Sequence, residues 1–190
     1  LMLNIYEEVL GSRRDDLRWR VEHAQIVAPS DVPRFAELGI IAAMQPVHCT
    51  SDMDWVPSRL GPHRIAGAYA WRSLWKTGAV VSFGSDAPVE AVDPVPGLFA
   101  ACTRTHANHT PAGGWLPQET LTGREALRAF TLGAHYSARA EGDLGVLAPG
   151  YQADITVLSA DPTTHPVSEL LNLEPRLTVV RGAVVWRDGP

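Results

Sequence analysis

His23, Gln45, His48 and Asp86 are the residues whose types and placement could carry chemistry in this sequence. A neutral imidazole and a carboxylate are the usual protein donors to zinc in hydrolytic sites. An aspartate beside an activated water can also take its proton as a general base. Each residue has an ordinary structural use as well. A histidine can simply be hydrogen-bonded, and an aspartate after a strand can cap a helix or close an Asx turn. His23 and Asp86 together fall short of the three or four donors of a zinc site. No H-x-H or H-x-x-x-H pair stands on a strand to supply the rest, and His106 and His109 lie three apart in a Gly/Pro-rich stretch.

Their positions along the chain make the case for a site. Arg18–Ala24 (RWRVEHA) alternates charged and apolar residues, which predicts a strand ending at Glu22 and His23. Ile40–Gln45 (IIAAMQ) is a continuous apolar run before Pro46, and Ala79–Phe83 (AVVSF) is another, feeding into Gly84-Ser85-Asp86. Such runs suit strands buried on both faces of a parallel sheet. Between them lie helical patterns: Leu1–Leu10, a segment capped by Ser30 or Asp31 that stops at Gly39, and Arg64–Thr77. The stretch 47–62 is polar and turn-rich and reads as a loop. Helix and strand therefore alternate, as in parallel β/α units, where ligands sit at the carboxyl ends of the strands. His23, the Gln45–His48 stretch and Asp86 all fall at those ends.

Further on, Val95–Thr105 is expected to be helical, and Thr122-Gly123-Arg124-Glu125 has the form of a capping box. Past Gly145 the pattern changes. Ala153–Leu158, Leu177–Val180 and Ala183–Trp186 are short strand candidates, the last two joined by a plausible hairpin turn at Arg181-Gly182. The organisation is β/α units over 1–140 and strands of a small β element over 141–190.

Composition sets outer limits. At 190 residues the chain is too short for a complete (β/α)₈ barrel, which takes about 250. Hydrophobic residues are 45% and charged residues 19%, as in ordinary globular domains. The net charge of −5, with neither half basic, gives no footprint for nucleic acid. No apolar run approaches the roughly 20 residues that cross a bilayer. The two cysteines, Cys49 and Cys102, form no metal-binding pair and are expected as buried thiols in a reducing cytoplasm. Leu1 stands where an initiator would, so the chain reads as the remainder of something longer.

Four segments in order, Arg20–Gln25 (RVEHAQ), Met44–His48 (MQPVH), Trp71–Leu74 (WRSL) and Phe83–Val89 (FGSDAPV), resemble the amidohydrolase superfamily, specifically amidohydrolase family 3 in its YtcJ-like branch. The series Gly142–Gly150 (GDLGVLAPG) and Ala153–Leu158 (ADITVL) extends the resemblance over nearly the whole chain. The resemblance implies an α/β fold: the C-terminal part of a (β/α)₈ TIM-like barrel, about three β/α units, plus strands of a small β-sandwich. It implies that His23 and Asp86 are metal ligands and that Asp86 is catalytic, taking a proton from the attacking water. Gln45, His48 and Arg64 are expected to line the substrate cavity, Arg64 through a substrate carboxylate. The implied reaction is hydrolysis of a non-peptide C–N bond at one or two divalent metals, commonly zinc, on a small-molecule substrate. The family's other histidine ligands would lie before Leu1. The missing barrel portion, another chain or a second copy in a homo-oligomer is then the expected partner. The alternative reading is a non-catalytic fragment or assembly module of such a hydrolase.

Overall fold

In the computed structural model, residues 1–11 and 16–189 are described. The elements in chain order are α1 (Met2–Leu10), β1 (Arg20–Glu22), α2 (Val32–Glu37), β2 (Ile41–Met44), α3 (Pro46–Asp52), α4 (Val56–Leu60), α5 (Trp71–Lys76) and β3 (Val81–Phe83). Then come α6 (Val95–Thr103), α7 (Gly123–Arg128), a π-helical stretch Ala129–Gly133, α8 (Ala134–Ser137), β4 (Ile155–Leu158), β5 (Pro175–Val180) and β6 (Ala183–Arg187).

β1, β2 and β3 form a parallel sheet in that order, with Glu22 beside Ala43 and Ala43 beside Ser82. The middle strand is buried along its whole length, as its uninterrupted apolar run requires. Ala42, Met44, Val81 and Phe83 belong to one core with Phe35, Trp71, Leu74 and Phe99. Phe83 meets Trp71 and Phe130 edge-on, with ring centroids 5.8 and 5.4 Å away. Each such side chain contributes about 1.5–3 kcal/mol by leaving water, so this cluster fixes the sheet against its helices.

The helical capping signal at Thr122 is realised in full. Thr122 Oγ1 accepts from the Glu125 amide at 3.3 Å, and Glu125 Oε2 accepts from the Thr122 amide at 2.8 Å. Arg72 of α5 grips the same carboxylate with two nitrogens at 2.7 and 2.6 Å, joining α5 to α7.

Three expectations are corrected. The stretch 47–62 is not a loop, because α3 runs into it from Pro46 and α4 lies within it. Proline at the first turn starts each helix at no hydrogen-bonding cost. Two of its hydroxyls bond back within the helical turns, Thr50 to the Val47 carbonyl and Ser58 to the Trp55 carbonyl. The helix expected over Arg64–Thr77 is confined to Trp71–Lys76. Ahead of it, Tyr69 turns to φ +51, and residues 67–69 instead bond to the backbone of 25–27. β1 is also shorter than Arg18–Ala24, since Arg18 and His23 both leave the extended region at φ +55 and +67.

β4, β5 and β6 make a second, antiparallel sheet. The β5–β6 connection is Arg181-Gly182, with φ +51 and +79, the positive pair that a two-residue type I′ hairpin needs. Asp154 Oδ1 accepts from the Arg181 amide at 2.7 Å, a structural task for that carboxylate. Among the described residues, no helix is long and apolar enough to cross a membrane.

Candidate metal centre at the ends of the parallel strands

His23, His48 and Asp86 converge at the carboxyl ends of β1, β2 and β3. One donor atom from each lies within 4.8 Å of the others. His23 is the first residue after β1, and Asp86 lies three residues past β3, both in left-handed backbone at φ +67 and +58. For residues other than glycine that conformation carries strain, which clusters at functional sites. His48 reaches the same place from the first turn of α3, immediately after β2. The two outer strands, β1 and β3, therefore place a side chain in the loops directly after their ends, and the middle strand does so through the helix that follows it.

The rings of His23 and His48 stack with centroids 5.8 Å apart. Asp86 Oδ2 lies 3.9 Å from His23 Nδ1 and 3.9 Å from His48 Nε2, too far for a hydrogen bond to either. His48 is 8% exposed, and both its ring nitrogens lack a hydrogen-bond partner. A buried polar atom without a partner costs about 1–3 kcal/mol. Here the orphaned ring is set beside a half-exposed imidazole and a partly exposed carboxylate. A divalent cation would satisfy all three at once. The donor set of two nitrogens and one oxygen is one that zinc accepts, with a position left for water.

Gln45 has a second contact that the sequence did not show. It lines the hollow beside the cluster, and its Oε1 also accepts from His23 Nδ1 at 3.0 Å. That bond fixes the orientation of the ring, as outer partners do for metal-ligating histidines. Arg64 is not brought to the cluster by any contact among the described residues. Its guanidinium donates to the Leu60 and Arg59 carbonyls at 3.2 and 3.4 Å, at the end of α4. Beside the cluster a hollow of about 280 Å³ is lined by Arg20, Glu22, Gln45, Ser82 and Gly84.

Sequence reasoning missed Asp52 and Tyr69, which sit behind the cluster. Tyr69 donates its phenolic proton to Asp52 Oδ2 and accepts from Gln25 Nε2 at 3.0 Å. The available signal was the four-residue spacing of His48 and Asp52, visible only once 46–52 is known to be helical.

Comparison with known proteins bears on this geometry. The protein named Putative amidohydrolase YtcJ, from Bacillus subtilis, is 36% identical over 167 residues, 88% of this chain and 32% of its own length. The N-substituted formamide deformylase of Arthrobacter pascens is 30% identical over 187 residues, 97% of this chain and 34% of its own. The chain thus spans about a third of the length of these curated relatives. An uncharacterized metal-dependent hydrolase from Pyrococcus horikoshii has a solved structure that matches with a TM-score of 0.74 and 27% identity, covering 87% of this chain and 32% of that one. Residues 2–186 match the profile of the amidohydrolase family, and with nearly its whole length inside that match, the chain belongs to the amidohydrolase family.

Proposed function

We propose that this chain carries part of the metal centre of a hydrolase that cleaves a non-peptide C–N bond in a small molecule. The observation that carries the reading is the convergence of His23, His48 and Asp86 at the ends of three adjacent parallel strands, with His48 buried and unpartnered. In this reading β1–β3 are strands of a (β/α)₈ barrel, whose sites lie at that end of the strands. An N-acyl, N-formyl or cyclic amide is the substrate class proposed. The formamide deformylase among its relatives supports that choice.

His23, His48 and Asp86 would hold a divalent ion, zinc by the chemistry of the donors. Such an ion supplies Lewis acidity toward the substrate carbonyl and lowers the pKa of a water molecule towards neutrality. Gln45 keeps the His23 ring in one orientation. The Asp86 carboxylate takes the proton of the attacking water and delivers it to the departing nitrogen, which leaves as an amine.

Asp86→Asn tests the role. We expect kcat/KM for amide hydrolysis to fall by about 10²–10⁴-fold with metal in excess, the usual contribution of a positioned general base. Wild-type turnover in that variant would overturn the reading. A second reading, an assembly module inactive by itself, is favoured by the unpaired outer sides of β1 and β3 in the described sheet. Stoichiometric zinc with turnover by the isolated chain would exclude it, whereas zinc without turnover would favour it.

A further inference from the structure

Tyr69 stands outside the donor cluster yet touches both elements that carry its histidines. Gln25, which donates to its phenolic oxygen at 3.0 Å, lies two residues past His23. Asp52, which accepts its proton, lies four residues past His48 on α3. That spacing places Asp52 and His48 on one face of the helix. A single buried hydroxyl, on a residue 1% exposed, thus spans from the segment holding one ring to the helix holding the other.

The backbone around Tyr69 is fixed from two sides. Its amide donates to the Gln25 carbonyl at 2.6 Å, Val27 donates to the Gly67 carbonyl at 2.9 Å, and Ile26 pairs with Ala68. From the other side, fully buried Arg104 donates to the Tyr69 carbonyl at 2.8 Å and to the Trp115 carbonyl at 2.6 Å. The same guanidinium stacks 4.3 Å above the Trp71 ring. Tyr69 therefore cannot drift to follow its partners, so the partners are held to it.

His23 and Ala24 give the clamp something to hold. Their φ values of +67 and +39 are unfavourable for side-chain-bearing residues. Such strain persists only where the surroundings over-determine the backbone. The anchor at 25–27 begins with the very next residue. Packing alone does not require a phenol here, since a phenylalanine ring would make the same edge contacts with Trp71 and Trp115. What the oxygen adds is the link between Gln25 and Asp52.

We infer that Tyr69 is a positioning residue of this metal centre: its hydroxyl, bound to Gln25 and Asp52, sets the His23 and His48 rings at their mutual distance. The inference rests on the metal-centre reading above, and its test separates the two. In the purified, metal-free protein, ring-proton NOEs between His23 and His48 report their stacking directly. They are expected in the wild type, lost in Tyr69→Phe and retained in Asp52→Asn, whose amide oxygen still accepts the phenolic proton. Leu170→Ala, a fully buried site away from the centre, serves as a comparator that lowers the melting temperature without disturbing the NOEs. In parallel, the zinc Kd of Tyr69→Phe is expected to rise about 10- to 100-fold, the usual effect of removing an outer partner of a metal ligand, with Asp52→Asn and Leu170→Ala near wild type. A wild type without the NOEs, a Tyr69→Phe protein that keeps them, or an unchanged Kd in Tyr69→Phe would overturn the inference. So would a Tyr69→Phe protein that only melts earlier, as Leu170→Ala does. A wild type that binds no zinc would overturn the metal-centre reading, and the NOE comparison would then decide the placement of the rings by itself.

Discussion

Gln45 fixes the orientation of the His23 ring, and that hydrogen bond is worth testing separately from the ligands. Gln45→Leu keeps much of the side-chain volume but removes the acceptor for Nδ1–H. The ring is then free to rotate. We expect the zinc Kd to rise about 10-fold or more, measured by competition with a chromophoric chelator, while the melting temperature of the metal-free protein changes little. An unchanged Kd would mean that the bond does not orient the ligand. His23 and Asp86 were legible as candidates because each follows a strand pattern, alternating charged and apolar residues before His23 and a continuous apolar run before Asp86. The position of His48 was harder to read, since its place in the cluster depends on 46–52 being helical rather than a loop. The cysteines were legible and inert. Burial pushes both the Cys49 and Cys102 thiols up to about 12, so neither forms the thiolate that reacts. Iodoacetamide at pH 8 should therefore leave the native protein unmodified and label both cysteines once it is unfolded, as read by intact mass.

Between elements, the interaction with a definite pH signature is the one joining α5 to α7. The Arg72 guanidinium holds the Glu125 carboxyl down at about 2, helped by the Thr122 hydroxyl and amide and opposed by partial burial. An unfolded glutamate titrates near 4.3. The folded value is the lower one, so the stabilisation is complete above the ordinary carboxylate range and is lost as pH falls through it towards 2. We expect Glu125→Gln to cost on the order of 2 kcal/mol at pH 7 and progressively less below pH 4, as followed by urea denaturation. A difference that stays constant from pH 7 to pH 2.5 would refute this account. The T-x-x-E pattern made the cap itself readable, because both of its bonds are local. The Arg72 partnership was not readable, since it joins residues 53 positions apart. The same distinction explains the early end of the helix expected over Arg64–Thr77. Its amphipathic pattern was real, but residues 67–69 are claimed by the backbone of 25–27. Gly67 is required there because a Cβ would overlap the Val27 carbonyl oxygen.

For the whole molecule, the relevant fact is how much strand edge and apolar surface is left uncovered. Among the described residues, β1 and β3 each bond to a neighbour on one side only, and β4 and β6 are the edges of the second sheet. Along β6, Val184, Val185 and Trp186 are all exposed, so side chains on both faces of that strand meet water. Unpaired strand edges template pairing with another chain, and natural proteins usually blunt them with charge, proline or a covering element. β6 carries Arg187 at its end but no charge along Ala183–Trp186. Together with a chain that spans about a third of its curated relatives, this surface is expected to seek a partner. We predict that the 190-residue chain purified alone self-associates as its concentration rises, measured by sedimentation velocity. Val185→Lys should shift the distribution towards monomer, because a lysine on an edge strand opposes stacking against a second strand while costing little at an exposed site. A wild-type chain that remains monomeric at high concentration would show that these edges do not pair. Association that Val185→Lys leaves untouched would move the contact to the edge of β4 or to the outer sides of β1 and β3; at the latter, next to the metal-centre residues, pairing would also alter access to His23 and Asp86.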